Sequence, residues 1–204
     1  GCAGTTTRWS AGSNAEMKRF HQAIERRLLP GRSIDWHRAV KNGDSSFFGL
    51  GIPMLGALGN FTDEELKNTA MASLGWWHHS IENTIDKLDF AWMQDHLRVY
   101  AGYLWELCTA PVLPFEFVTV ADQIIERLAK LSPGADAVGL ASVIAEAQRF
   151  KQAAGKLDAV AEQWRTRYAT GASTDEAAAD VLNACLKRLS RTLVPLASTA
   201  KGTY

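Results

Sequence analysis

Gly75-Trp76-Trp77-His78-His79-Ser80-Ile81-Glu82-Asn83-Thr84-Ile85-Asp86-Lys87-Leu88-Asp89 divides a chain of 204 residues into two parts of different character. Before it the sequence is Gly-rich and mixed in pattern. After it, apolar residues recur almost without interruption at helical spacing. The stretch also gathers two adjacent histidines, two tryptophans and three acids. Neutral imidazole is a common metal ligand, and a carboxylate often orients it from behind. One local pair of histidines cannot close a metal site by itself. A structural reading therefore stands beside the metal one, with Trp76 and Trp77 as core anchors and His78 and His79 as their polar neighbours.

Downstream, Trp92, His96, Val99, Tyr103 and Leu107 form one apolar stripe, broken by Pro111 and Pro114. Phe117, Ala121, Ile124, Leu128 and Leu131 form a second, ended by Ser132-Pro133-Gly134. A long helix is expected over 138–168, through Leu140, Ile144, Ala147, Ala154, Leu157, Ala161 and Trp164. Gly171 stops it, and Ser173 or Thr174 caps a last helix carrying Val181, Cys185, Leu189 and Leu193. Four amphipathic helices with short breaks between them predict antiparallel packing. The charges between the stripes, such as Glu126, Lys130, Glu146 and Arg149, read as a solvated face.

Upstream the pattern alternates. Residues 5–9 read as a strand. Ser13 or Asn14 caps a helix that carries Met17, Phe20, Ile24 and Leu28 on one face. Pro30-Gly31 ends it, and 33–40 reads as a strand. A helical turn at 47–50, a brief strand at 51–55 and a loop at 56–61 follow. Thr62 with Glu65 three residues on is a capping box, opening a helix that ends near Leu74-Gly75. This is an α/β alternation too short for a complete doubly wound sheet. The expected fold is thus mainly α: residues 1–89 form the tail of an α/β domain, and residues 90–204 form an antiparallel helical bundle.

Composition excludes several classes. Lys+Arg and Asp+Glu both number 22, so the net charge is zero, which argues against a general nucleic-acid or anionic-membrane surface. No apolar run approaches the roughly 20 residues needed to span a bilayer. Cys2, Cys108 and Cys185 are odd in number and widely spaced, so they form neither a disulfide framework nor a zinc knuckle. Cys108 and Cys185 are expected as buried thiols. No Gly-rich phosphate loop and no Gly-x-Ser-x-Gly elbow is present. The chain opens without Met, so the lack of a signal pattern says nothing of the parent protein.

The segment His79-Ser80-Ile81-Glu82-Asn83-Thr84 resembles the His-Ser-x-x-Glu-Thr or His-x-x-x-Asp-Thr segment of the co-catalytic di-zinc aminopeptidases, with Asn83 where those motifs have the acid. Within them, the chain is most similar to the branch of glutamate carboxypeptidase II and the transferrin receptor. The likeness extends to Asn42-Gly43-Asp44-Ser45-Ser46-Phe47-Phe48 followed by Gly51-Ile52-Pro53. It continues through Asp95-His96-Leu97-Arg98-Val99, Glu106-Leu107 and Val112-Leu113-Pro114-Phe115. It is specific over 42–115 and architectural beyond.

The resemblance implies that His79 binds one of two zinc ions, which act as Lewis acids and generate the attacking hydroxide. His78 stands where the family often has a Tyr that helps hold the oxyanion, a role an imidazole N–H can share. Glu82 is implied to order its surroundings rather than bind metal. Lys201 and Tyr204 are similar to a Lys-Tyr pair that recognises a substrate carboxylate, with a frayed terminus as the alternative.

The remaining zinc ligands and the general base of the family lie earlier in the chain than residue 1. His21, His37 and His96 offer no replacement and read as surface or satisfied-core residues. The resemblance therefore implies a parent that cleaves peptide bonds at a chain end and uses two zinc ions. It implies a segment that alone holds no tight metal and has no activity. A homodimer through the helical domain, and a parent that is secreted, periplasmic or on the cell surface, are implied too. The alternative is a non-catalytic, transferrin-receptor-like dimerisation or ligand-binding module. Exposed apolar surface is expected where the other strands would sit.

Overall fold

The computed structural model describes residues 8–39, 47–69, 71–131, 139–199 and 202–203. The chain is mainly helical, with one small three-stranded sheet. In order it runs β1 (Arg8–Ser13), a 3-10 turn (Ala15–Met17), α1 (Lys18–Leu28), β2 (Ser33–Arg38), β3 (Leu55–Asn60) and α2 (Asp63–Asn68). Then come α3 (Phe90–Thr109), α4 (Val118–Lys130), α5 (Leu140–Ala169) and α6 (Glu176–Leu193). A two-residue ladder, β4 (Ser198–Thr199) with β5 (Gly202–Thr203), follows.

The sheet order is β2-β1-β3. β1 is parallel to β2, with Trp9 opposite Ile34, and antiparallel to β3, with Trp9 opposite Gly59. Alternation along β1 turns Trp9, Ala11 and Ser13 inward, and all three are fully buried. α1 crosses between the parallel strands and packs on that face. α3 lies antiparallel to α1, with Gly102 against Ile24 and Leu28, and Arg32 close to Asp95 and over the Trp92 ring. A side chain at Gly102 would come within 3.0 Å of Ile24, so glycine lets the helices approach. Trp92, Val99 and Tyr103 of α3 share one core cluster with Trp9, Ala11, Ile24, Leu29 and Ala57.

The bundle forms the second cluster. α5 returns along α4, placing Gly155 beside Val118 and Lys151 on Asp122 at 2.6 Å. α6 returns along α5, where the Tyr168 hydroxyl donates to the Asp175 carbonyl. In α5, Leu140, Ala147, Ala154 and Ala161 are buried at seven-residue intervals, with Phe150, Leu157 and Trp164 packed on the same stripe. This is the repeat of a helix seam. Phe20 packs against both clusters and joins them. Glu16, beside it, takes a hydrogen bond from the Ser190 hydroxyl of α6 at 2.9 Å.

The link between α3 and α4 is proline-rich and has no ladder of its own. Three side chains from the bundle hold it. Asp158 of α5 accepts from the Phe117 and Val118 amides at 3.0 and 2.9 Å. Asn183 of α6 accepts from Leu113 N and donates to the Pro111 carbonyl, each at 2.8 Å. Arg165 donates to the Leu113 carbonyl at 2.8 Å.

Neither Ser13 nor Asn14 caps α1, whose N-cap position is Met17; the Asn14 side chain accepts from the Met54 amide instead. Three other helix starts follow their cap chemistry. Thr62 and Glu65 form the expected capping box, at 3.2 and 2.6 Å. Asp89 caps α3 at Trp92 N. Asp175, rather than Ser173 or Thr174, caps α6 at Ala178 N.

Several expectations are corrected. The strand expected at 51–55 lies at Leu55–Asn60, where a loop is expected, because its six residues pair along the whole of β1. α2 ends at Asn68, since the chain turns through Met71 in the left-handed region, at φ 62°. Cys108 and Cys185 are exposed, not buried. In α6 the buried face is Ala179, Leu182, Leu186 and Ser190, one position on from the expected stripe, leaving Val181 73% exposed. Trp76 is no core anchor, being 60% exposed. No helix among the described residues is long and apolar enough to cross a membrane.

Candidate functional site

Residues 75–89 form a run of tight turns ahead of α3, held by their own side chains. Gly75 sits at φ 88°, and a Cβ there would lie 2.5 Å from the Trp77 ring. Only glycine serves at such a position. The Trp76 and Trp77 rings meet edge to face at 5.8 Å. The Ser80 hydroxyl donates to the Trp77 carbonyl at 2.7 Å and accepts from the Glu82 amide at 3.2 Å. Thr84 and Lys87 both donate to Asp86. Among the described residues the Glu82 carboxylate receives no hydrogen bond, so Ser80 and Thr84 do the ordering there.

His79 is exposed and lies in the left-handed region at φ 62°, a conformation that is uncommon for a residue with a Cβ. Its ring stacks on His78 with centroids 3.9 Å apart and planes 26° from parallel. Lost solvation, and then repulsion from His79, hold the His78 imidazole below the usual histidine range. A neutral ring keeps a lone pair for a proton or a metal. The structure thus brings His78 and His79 together. It brings no carboxylate to them: no group of three or more His, Cys, Asp or Glu able to hold a metal occurs among the described residues. Zinc takes at least three protein ligands. The two imidazoles fall short of that number, so these residues by themselves do not fit a zinc ion. Lys201 and Tyr204 lie outside the described residues.

A second polar cluster lies between the sheet and α1. His21 Nε2 lies 3.0 Å from Ser13 Oγ, and His21 Nδ1 lies 3.0 Å from Glu25 Oε1. The Trp36 indole N–H donates to Ser13 Oγ at 2.9 Å, and the Tyr103 hydroxyl donates to Glu25 Oε1 at 2.5 Å. Burial by itself would raise the Glu25 carboxyl. The His21 contact and the Tyr103 hydroxyl outweigh it and hold the group below the usual carboxylate range. Burial, with the hydrogen bond to Glu25, pushes the Tyr103 phenol far up.

The order serine, histidine, acid is that of a hydrolytic triad. Ser13, His21 and Glu25 are nevertheless all fully buried, so no substrate reaches the serine. The network is a core device, which agrees with the satisfied-core reading of His21. Its visible signal is the four-residue spacing of His21 and Glu25 on one helical face. Ser13 and Tyr103 carry no such mark. His37 packs its ring over Gly12, where a Cβ would come to 2.5 Å. His96 lies between Trp9 and Trp92, at 4.8 and 4.7 Å.

No protein-family model matches the chain, and no curated protein matches it significantly.

Proposed function

We propose that this chain is the C-terminal segment of a zinc-dependent exopeptidase, in which His79 supplies one ligand of a two-zinc centre. The observation that carries the reading is the motif His79-Ser80-Ile81-Glu82-Asn83-Thr84 on an exposed turn, with the His79 imidazole open to groups outside the segment. On this reading residues 1–89 complete an α/β peptidase domain. Residues 90–204 are a transferrin-receptor-like helical domain through which the parent dimerises. The other ligands come from chain that precedes residue 1 in the parent. On this reading His78 helps to hold the oxyanion, and the segment alone is inactive.

The test compares the parent polypeptide with its His79→Ala variant by elemental analysis and by turnover of short peptides. The variant is expected to lose zinc and at least about a hundredfold in turnover, in line with the rate a metal-activated water supplies. Unchanged zinc and turnover would sink the proposal. The 204-residue chain alone should hold less than one zinc per chain.

A second reading, a non-catalytic interaction module, is favoured by the outer face of α3. There Leu97, Leu104 and Trp105 are 63%, 64% and 72% exposed, an apolar surface of the kind that marks contact sites. A parent that dimerises but neither binds zinc nor cleaves peptides decides for it.

A further inference from the structure

The outward side of the α5–α6 hairpin is an open apolar groove of about 550 Å³. Val160 and Trp164 line it from α5, and Ala177, Ala178, Val181 and Cys185 from α6. Val160 is 45% and Val181 73% exposed, and Cys185 is exposed as well. Ala178, Val181 and Cys185 recur at three- and four-residue steps, the repeat of a helix seam. α6 thus carries a second apolar stripe beside the buried one of Leu182 and Leu186.

A ridge of charge runs along this stripe. Glu176, Asp180, Lys187 and Arg191 follow at four-, seven- and four-residue steps, so they share one side of the helix. All four are exposed, and none has an ion pair or a side-chain hydrogen bond among the described residues. The order is acid, acid, base, base. Within one chain that order is unfavourable, because it sets like charges four residues apart twice. Other bundle helices do the opposite: Glu126 pairs with Lys130, Glu146 with Arg149 and Glu162 with Arg165. Attraction to the helix dipole accounts for charges in the first and last turns only, and Asp180 and Lys187 lie inside those turns.

We propose that α6 packs antiparallel on α6 of a second copy of this chain, about a two-fold axis between Asn183 and Ala184. Glu176 with Arg191, and Asp180 with Lys187, share that one midpoint. Turning a copy end over end therefore sets every acid of the ridge opposite a base of the other chain. A parallel pair would set like against like. The small side chains of Ala177 and Ala184 allow a close approach, with Val181 and Cys185 in the seam. A two-fold contact needs a self-complementary surface, and the stripe and the ridge are both self-complementary. The outer face of α3 carries no such pattern, since its charges Arg98 and Glu106 pair with Asp95 and Arg27 of the same chain. The proposal rests on the dimer in the reading above, whose surface it names, and not on the zinc centre.

Sedimentation equilibrium of the full chain tests it, and a reversible dimer is expected. Asp180→Lys and Lys187→Glu each change an exposed residue, and by symmetry each creates two like-charge contacts. Each should weaken the dimer about tenfold with unchanged helical circular dichroism. Combining the two should restore affinity to within about threefold of the unmodified chain. The helical rise puts the two Cys185 positions about 4.5 Å apart along the helix axes. A short bismaleimide should therefore join two copies, in Cys108→Ser as in the unmodified chain, but not in Cys185→Ser. A dimer indifferent to both single variants, or weakened by them and not restored by their combination, would overturn this surface while leaving the dimer standing. Cross-linking that survives Cys185→Ser would do the same. A monomer at every concentration would remove the dimer and its surface together, whatever zinc the parent holds at His79.

Discussion

Tyr103 and His96 lie about two turns apart on α3, and each carries a polar atom into an apolar setting. Tyr103 gives its hydroxyl to a carboxylate whose other oxygen, Glu25 Oε2, is buried without a hydrogen-bond partner. Tyr103→Phe keeps the ring and removes that donor. It should cost about 1–3 kcal/mol, read as a lower denaturation midpoint at constant slope.

His96 Nε2 is likewise buried without a partner. Burial holds its imidazole below the usual histidine range, opposed by Asp95 and helped by Arg32. A folded-state value below the unfolded one means that the neutral ring contributes stability above pH 6.5, and that this is lost as pH falls. Unfolding free energy should therefore decline from about pH 6.5 downward, and His96→Phe should flatten that limb while leaving the acid limb of Glu25 near the carboxylate range. At this scale the sequence is half legible. His21 and Glu25 advertise themselves by their spacing, whereas Tyr103 lies 78 residues from Glu25. A partner so distant is chosen by the fold.

Among the elements, α5 is the one most fully written in its sequence. Small residues at seven-residue intervals, flanked by Phe150, Leu157 and Trp164, leave one face for the seam. Ala154 is 2% exposed, and Ala154→Leu should cost about 1–3 kcal/mol by overpacking, seen as a fall in melting temperature without loss of helical circular dichroism.

α6 is less legible, because it offers two overlapping stripes. Val181 and Cys185 are as apolar as Leu182 and Leu186. The second pair faces inward, in the orientation that also lets Ser190 reach Glu16, 174 residues away. β3 has no readable pattern at all. Gly56 and Gly59 look like loop residues, and only the neighbouring ladder of β1 makes them a strand. The turns at 75–89 are the reverse case. Their Gly, Ser, Thr and Asp chemistry is local, so their position before a helix could be read, while the exposure of Trp76 could not.

Across the whole molecule, two cores meet at Phe20 and at the link between α3 and α4. Asp158 satisfies the first two amides of that link's helix from forty residues further along the chain. Asp158→Ala strips both partners and should cost about 1–2 kcal/mol, the range for loss of a helix cap. Amide exchange at Phe117 and Val118 should rise with it, while β1 stays protected.

The direction of this dependence has a consequence for a chain being made. α4 is synthesised before the residue that starts it, so a nascent polypeptide that has emerged only as far as Lys130 carries an α4 sequence with open amides and no seam to lie on. It gains both only when α5 has followed through residue 158. A ribosome stalled between those points would present a proline-rich link and an unpacked amphipathic segment. Limited proteolysis of such stalled chains should cut near residue 117 until the carboxylate arrives, and then cease.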